Sequence, residues 1–116
     1  MSNYFIGYAN SEAVTTSTKT LDEGDAGVVQ FCEVDCTITM PAVTVGRSYT
    51  IAQGPGALVT LSPNAADKFM GNGFTSADDK DIIGPANFGG TAYVTVVGSA
   101  DGWNIQYING TWTRQA

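Results

Sequence analysis

Apolar and polar residues alternate with a period of two through most of this chain, and no helical period persists over a useful length. The stretch from Gly27 to Pro63 shows this best. Val28 to Cys32, Cys36 to Met40, Arg47 to Gln53 and Ala57 to Ser62 are rich in Val, Ile, Thr and Tyr and have strand length. Glu33-Val34-Asp35, Pro41 to Gly46 and Gly54-Pro55-Gly56 separate them as turns. Val28 to Met40 reads as a tight hairpin with Cys32 and Cys36 facing each other. Tyr49 and Ile51 share one face of the next strand.

Before this stretch, Val14 to Leu21 reads as a polar, exposed strand, and Asp22 to Gly27 as an acidic turn. After it, Ser62 to Gly90 carries glycines, an acidic knot at Asp78 to Asp81, and apolar residues without a steady period. It reads as a long ordered excursion that binds a partner or covers an open barrel end. Tyr93 to Val97 and Trp103 to Ile108 form a further strand pair around a Gly98 to Gly102 loop. Alternation places Trp103, Ile105 and Tyr107 on one face. Asn109-Gly110 predicts a hairpin turn into Thr111 to Thr113. These elements add up to about eight or nine short strands in a compact antiparallel β-sandwich or barrel-like domain. No strict internal repeat is visible.

The N-terminal residues 1–13 read as an arm or an edge strand, and residues 14–116 as a single β domain. Tyr4, Phe5, Ile6 and Tyr8 crowd four large apolar side chains into five positions. Such a cluster is costly to leave in water. It packs on the domain's own sheet or docks on a partner.

The bulk composition narrows the function. A chain of 116 residues fits one domain able to bury roughly two-thirds of its unfolded surface. Only 14% of residues are charged, against about 25% in an average soluble domain. Thr, Ser, Asn and Gly must therefore supply most of the polar surface, which suits surface covered by another subunit. The net charge of −6, with five scattered Lys and Arg, argues against nucleic acid and against an anionic membrane. No apolar run is long enough to span a bilayer, and the N-terminus lacks the features of a secretion signal. Synthesis and use in a cytoplasm follow as the expectation.

The chain has no histidine. That excludes Ser-His-Asp and Cys-His catalysis and histidine-based zinc sites within one chain. Asp22, Glu23 and Asp25 do not follow the EF-hand spacing and read as a solvated turn. Cys32 and Cys36, facing each other within disulfide range, read as two reduced, buried or half-buried thiols in preference to a disulfide, and two ligands are too few for zinc. Asp78, Asp79 and Asp81 could join the first acidic group in a two-carboxylate glycosidase, which needs a cleft that spacing alone does not reveal. The expectation is a protein that is not an enzyme and holds no cofactor or metal.

Several stretches in this order resemble a known class. They are T-L-D-E-G-D-A-G-V-V, T-I-T-M-P, G-R-S-Y-T-I, V-T-L-S-P-N-A-A-D, a Gly-rich loop, G-G-T-A-Y-V-T-V-V and G-W-N-I. From Thr20 to Ile105 the layout resembles the β modules of tailed-phage virion proteins, namely head decoration (cement) proteins, head fibres and some tail-fibre domains. A chain of this size is closer to a decoration protein than to a tail fibre. The resemblance implies a structural homotrimer on the outside of a capsid, partnered by the major capsid protein and made in the host cytoplasm. Tyr4, Phe5, Ile6 and Tyr8 are then the candidate capsid contacts. The alternative is a carbohydrate- or receptor-binding module meeting a host glycan through Trp103, Trp112, Tyr93 and Tyr107, although the alternation of Trp103 with Ile105 favours core packing.

Overall fold

A computed structural model describes residues 10–64, 67–71, 73, 79–86 and 89–115. Among these residues eleven short strands lie in two sheets. In chain order they are β1 (Ser11–Val14), β2 (Thr18–Thr20), β3 (Val29–Cys32), β4 (Cys36–Thr39), β5 (Ser48–Gln53), β6 (Val59–Ser62), β7 (Phe69–Met70), β8 (Ile82–Ile83), β9 (Ala92–Ser99), β10 (Gly102–Asn109) and β11 (Thr113–Arg114). The first sheet has the order β1-β3-β5-β9-β10-β7 and the second β11-β8-β6-β4-β2. The all-β class expected from alternation is what the chain adopts, as two sheets and not as a barrel.

Its pairing sense differs from the expectation. β1, β3 and β5 run parallel, as do β2, β4 and β6. The chain therefore alternates between the sheets and stacks three coils, each of roughly twenty residues, the short end of the range for repeat folds. Val28 to Met40 is not a hairpin, since β3 and β4 belong to opposite sheets. In-sheet neighbours are equivalent positions one coil apart: Val14, Cys32 and Gln53 form one row, and Lys19, Ile38 and Leu61 another. The stretch read as one strand from Val14 to Leu21 is likewise split by a corner into β1 and β2. Antiparallel pairing begins only where β8 joins β6 and β9 joins β5.

Corners are closed locally. Gly46 and Gly56 adopt φ of 83° and 79°, which L side chains rarely reach, and Ala57 N–H donates to Gly54 C=O at 3.0 Å. Asp35 Oδ1 accepts from Leu58 N–H at 2.8 Å, so one coil's corner fastens to the next. The excursion from Ser62 to Gly90 contributes β7 to the first sheet and β8 to the second. Asn109-Gly110 turns the chain without making a hairpin. Only Gly110 of the two has positive φ, and β11 crosses to pair with β8.

The core lies between the sheets. Val14, Leu21, Cys32, Ile38, Met40, Tyr49, Ile51, Leu61, Phe69, Ile82, Val94, Val96 and Trp103 are buried together. Fully burying one such aliphatic or aromatic side chain stabilises by about 1.5–3 kcal/mol. The outward face of the first sheet is closed as well, because Val29, Thr50, Ala52 and Thr95 are buried, and the Thr50 and Thr95 hydroxyls bond each other at 2.8 Å.

The first coil ends in charge. Glu12 and Lys19 occupy the inward rows that continue as Gln30–Ile51 and Ile38–Leu61. Among the described residues no coil lies beyond them, and they form an ion pair, which Asp25 extends at 3.8 Å from Lys19. Burial alone would lower the Lys19 pKa, but its hydrogen bond to Glu12 and the charges of Asp25, Glu12 and Asp22 raise it.

Candidate functional site

The acidic turn is a capping device. Asp22 Oδ1 accepts from Gly24 N–H at 2.9 Å, and Asp25 Oδ2 accepts from Asp22 N–H at 3.0 Å, a reciprocal capping box around the 3-10 turn Glu23–Asp25. Glu23 meets Arg47 at 3.4 Å. Among the described residues no group of three or more Cys, Asp and Glu is placed to hold a metal ion. Asp79 and Asp81 lie on a separate segment, where Asp81 N–H donates to Gln115 Oε1 at 3.2 Å, and Asp78 lies outside the described residues.

Cys32 and Cys36 are free thiols, both buried in the core. They are not cross-strand neighbours, yet they meet across the interior at the corner between β3 and β4. Burial first, then the neighbouring thiol, pushes the Cys32 pKa up to about 12, and burial also raises Cys36. Neither thiol is activated as a nucleophile. Cys36 lines a shallow surface depression of about 270 Å³ with Ser17, Asp35, Thr37, Leu58 and Thr60.

The aromatic candidates separate cleanly. Trp103 is fully buried, and Trp112 is buried with its indole N–H donated to Asn109 C=O at 3.0 Å. Tyr93 is half-buried on β9. Tyr107 is 60% exposed. Simple alternation had placed it beside Trp103 and Ile105, but the ladder slips between Ile105 and Tyr107. Ile105 faces Val96 and Tyr107 faces Thr95, leaving Gln106 as the extra residue of a β-bulge. Ile108 takes the inward place and packs on the core with Ile105. Tyr4, Phe5, Ile6 and Tyr8 lie outside the described residues.

Two surfaces emerge that sequence reasoning did not assemble. On the second sheet, Thr18, Thr37 and Thr60 stand in one outward row and Thr20, Thr39 and Ser62 in another, with Ile83 and Thr113 extending the first. No charged residue belongs to either row. The repeated Thr-x-Thr or Thr-x-Ser on β2, β4 and β6 was the available signal. On the first sheet, Tyr107 is accompanied along β10 by exposed Asn104, Gln106 and Asn109. No family model matches the chain, and no curated protein matches it.

Proposed function

We propose that this protein is a structural component of a tailed-phage virion, a homotrimer that sits on the capsid exterior and stabilises it by burying surface against the major capsid protein. The observation that carries this reading is the uncharged outward face of the second sheet. Its hydroxyl rows are regular and held in register by the parallel ladder of β2, β4 and β6. Hydroxyls lose less on desolvation than charges do, so such a face suits contact with protein. The scarcity of charge and the likeness of the Thr20 to Ile105 stretch to decoration and head-fibre modules point the same way. Closed threefold symmetry multiplies weak contacts into avidity for a symmetric capsid site. In this reading Tyr4, Phe5, Ile6 and Tyr8 are additional anchors, and the protein acts without catalysis, cofactor, membrane or nucleic acid.

Light scattering during size exclusion tests the assembly: the expected mass is about three times the 12.1 kDa chain, and a monomer at micromolar concentration overturns it. Co-sedimentation with phage capsids lacking their own decoration tests the partner. Thr37→Lys with Thr39→Lys places two charges on the hydroxyl face and should abolish co-sedimentation or trimer formation while the monomer stays folded.

A further inference from the structure

The bulge at Gln106 interrupts the longest strand pair in the fold, and its effect is to take a large aromatic ring out of the core and set it on the surface. A bulge that re-aims one side chain is a common way of building a site on a rigid sheet. Three carboxamides, Asn104, Gln106 and Asn109, are exposed on the same strand. That of Asn109 is held in place, its Nδ2 donating to Thr91 C=O at 2.8 Å.

We propose that this outward face of β10, centred on Tyr107, binds the ring of a neutral sugar. The chemistry of the face selects the ligand. Neither β9 nor β10 carries a charged residue, so nothing there recognises a phosphate, a carboxylate or a cationic peptide. An apolar protein partner would call for a contiguous apolar patch, whereas here one ring stands among amides. A pyranose matches both parts. Its C–H face stacks on the aromatic ring, and its hydroxyls, each donor and acceptor, find carboxamides that also donate and accept. The paired strands fix the backbone under the ring, so little ordering is required on binding. This site does not rest on the capsid reading and stands or falls separately from it.

The test is saturation-transfer NMR on the full chain with D-glucose, D-galactose, D-mannose and N-acetyl-D-glucosamine as probes, followed by titration of whichever sugar responds. Saturation should reach the ring C–H protons of at least one probe. Tyr107→Ala should weaken its binding by about tenfold or more, Tyr107→Trp should retain it, and Gln106→Ala should weaken it less than Tyr107→Ala does. All three variants should keep the wild-type melting temperature, because the altered side chains are exposed. The proposal is overturned if no probe responds at millimolar concentration, or if Tyr107→Ala binds like the wild type. It is also overturned if Tyr107 is shielded by a second copy of the chain in the solution oligomer, which would make the ring an interface residue.

Discussion

Tyr49 and Trp103 meet edge to face, with ring centroids 5.4 Å apart and planes at 83°. They come from β5 and β10, which do not pair directly, so the contact ties the coiled part of the first sheet to its antiparallel part. The Tyr49 hydroxyl also donates to Asp22 C=O at 3.1 Å, reaching the acidic turn. Trp103→Ala should cost about 3–5 kcal/mol, a large part of the total stability of a domain this size. Tyr49→Phe keeps the ring contact, loses one hydrogen bond and should cost about 1 kcal/mol. Urea unfolding of both variants gives the comparison, and equal losses would contradict this division of roles.

Gln30 is fully buried, and neither its amide nitrogen nor its oxygen has a hydrogen-bond partner among the described residues. It occupies the inward row between Glu12 and Ile51, where the row changes from charged to apolar. An unsatisfied buried amide costs about 1–3 kcal/mol. Gln30→Met, similar in shape and without the unmet polar atoms, should raise stability by about that amount in chemical denaturation. A loss instead would place a bound water on Gln30.

Alkaline pH should destabilise the fold through Cys32. Its folded pKa of about 12 exceeds the ordinary value of 9.0, so between those values the unfolded chain has released a proton that the folded chain keeps. The unfolded state then binds fewer protons, and unfolding free energy falls as pH rises, by up to about 1.4 kcal/mol per pH unit from this one group. The full contribution is present below pH 9.0. Tyr49 and Lys19, both raised, add losses of the same sign. Cys32→Ala should flatten the decline measured by urea titrations between about pH 9 and 10.5. Parallel slopes in the two proteins would rule this account out.

Gln106 is the extra residue of the ladder, and it can be removed without turning its paired neighbours over. Gln106→Ala should change stability by less than about 0.5 kcal/mol. Deleting residue 106 removes the bulge and makes Ile105–Val96, Tyr107–Thr95 and Ile108–Val94 consecutive pairs of a regular ladder, so Tyr107 stays outward and Ile108 inward. That variant should keep cooperative unfolding and shift in melting temperature by no more than about 8 °C, roughly the effect of 1 kcal/mol. Circular dichroism melts check both variants, and a collapse on deletion would show that the ladder does not re-form across the gap.

Gly98→Ala should be far worse than its size suggests. An added Cβ would be driven into the backbone of Thr44, whose neighbour Gly46 donates its N–H to Gly98 C=O at 2.9 Å. Neither backbone can yield without breaking that contact, and overpacking of this kind costs about 1–3 kcal/mol or more. The melting temperature is the measurement, and a neutral result would show that the loop around Thr44 moves freely.

Most strands were legible in the sequence because alternation and turn residues act locally. β3, β4, β5 and β6 lie within a residue or two of where Val, Ile and Thr placed them. Their partners were not legible. A residue such as Ile38 is buried whether its strand pairs with a sequence neighbour or with a strand one coil away, so alternation fixes the face and leaves the partner open. The clue was the recurrence of Thr18-Lys19-Thr20, Thr37-Ile38-Thr39 and Thr60-Leu61-Ser62, which is too degenerate to stand out as a repeat. Trp103 was rightly read as core, whereas Tyr107 was misplaced because a bulge leaves no mark in a short alternating run. The Asn109-Gly110 signal marked a real turn, but it could not say that the chain would cross to the other sheet.

The stacked coils also bear on how this protein can change in length. A coil touches only the coils above and below it, so stability in such an array grows roughly by increments, one neighbour contact at a time. Among the described residues the stack ends at the Glu12–Lys19 pair on one side and at β8 and β9 on the other. Between these two lids, duplication of a unit from β3 to β4 would lengthen the body without disturbing either. The same fold could thus yield taller or shorter relatives whose ends stay constant while the shaft varies in whole coils.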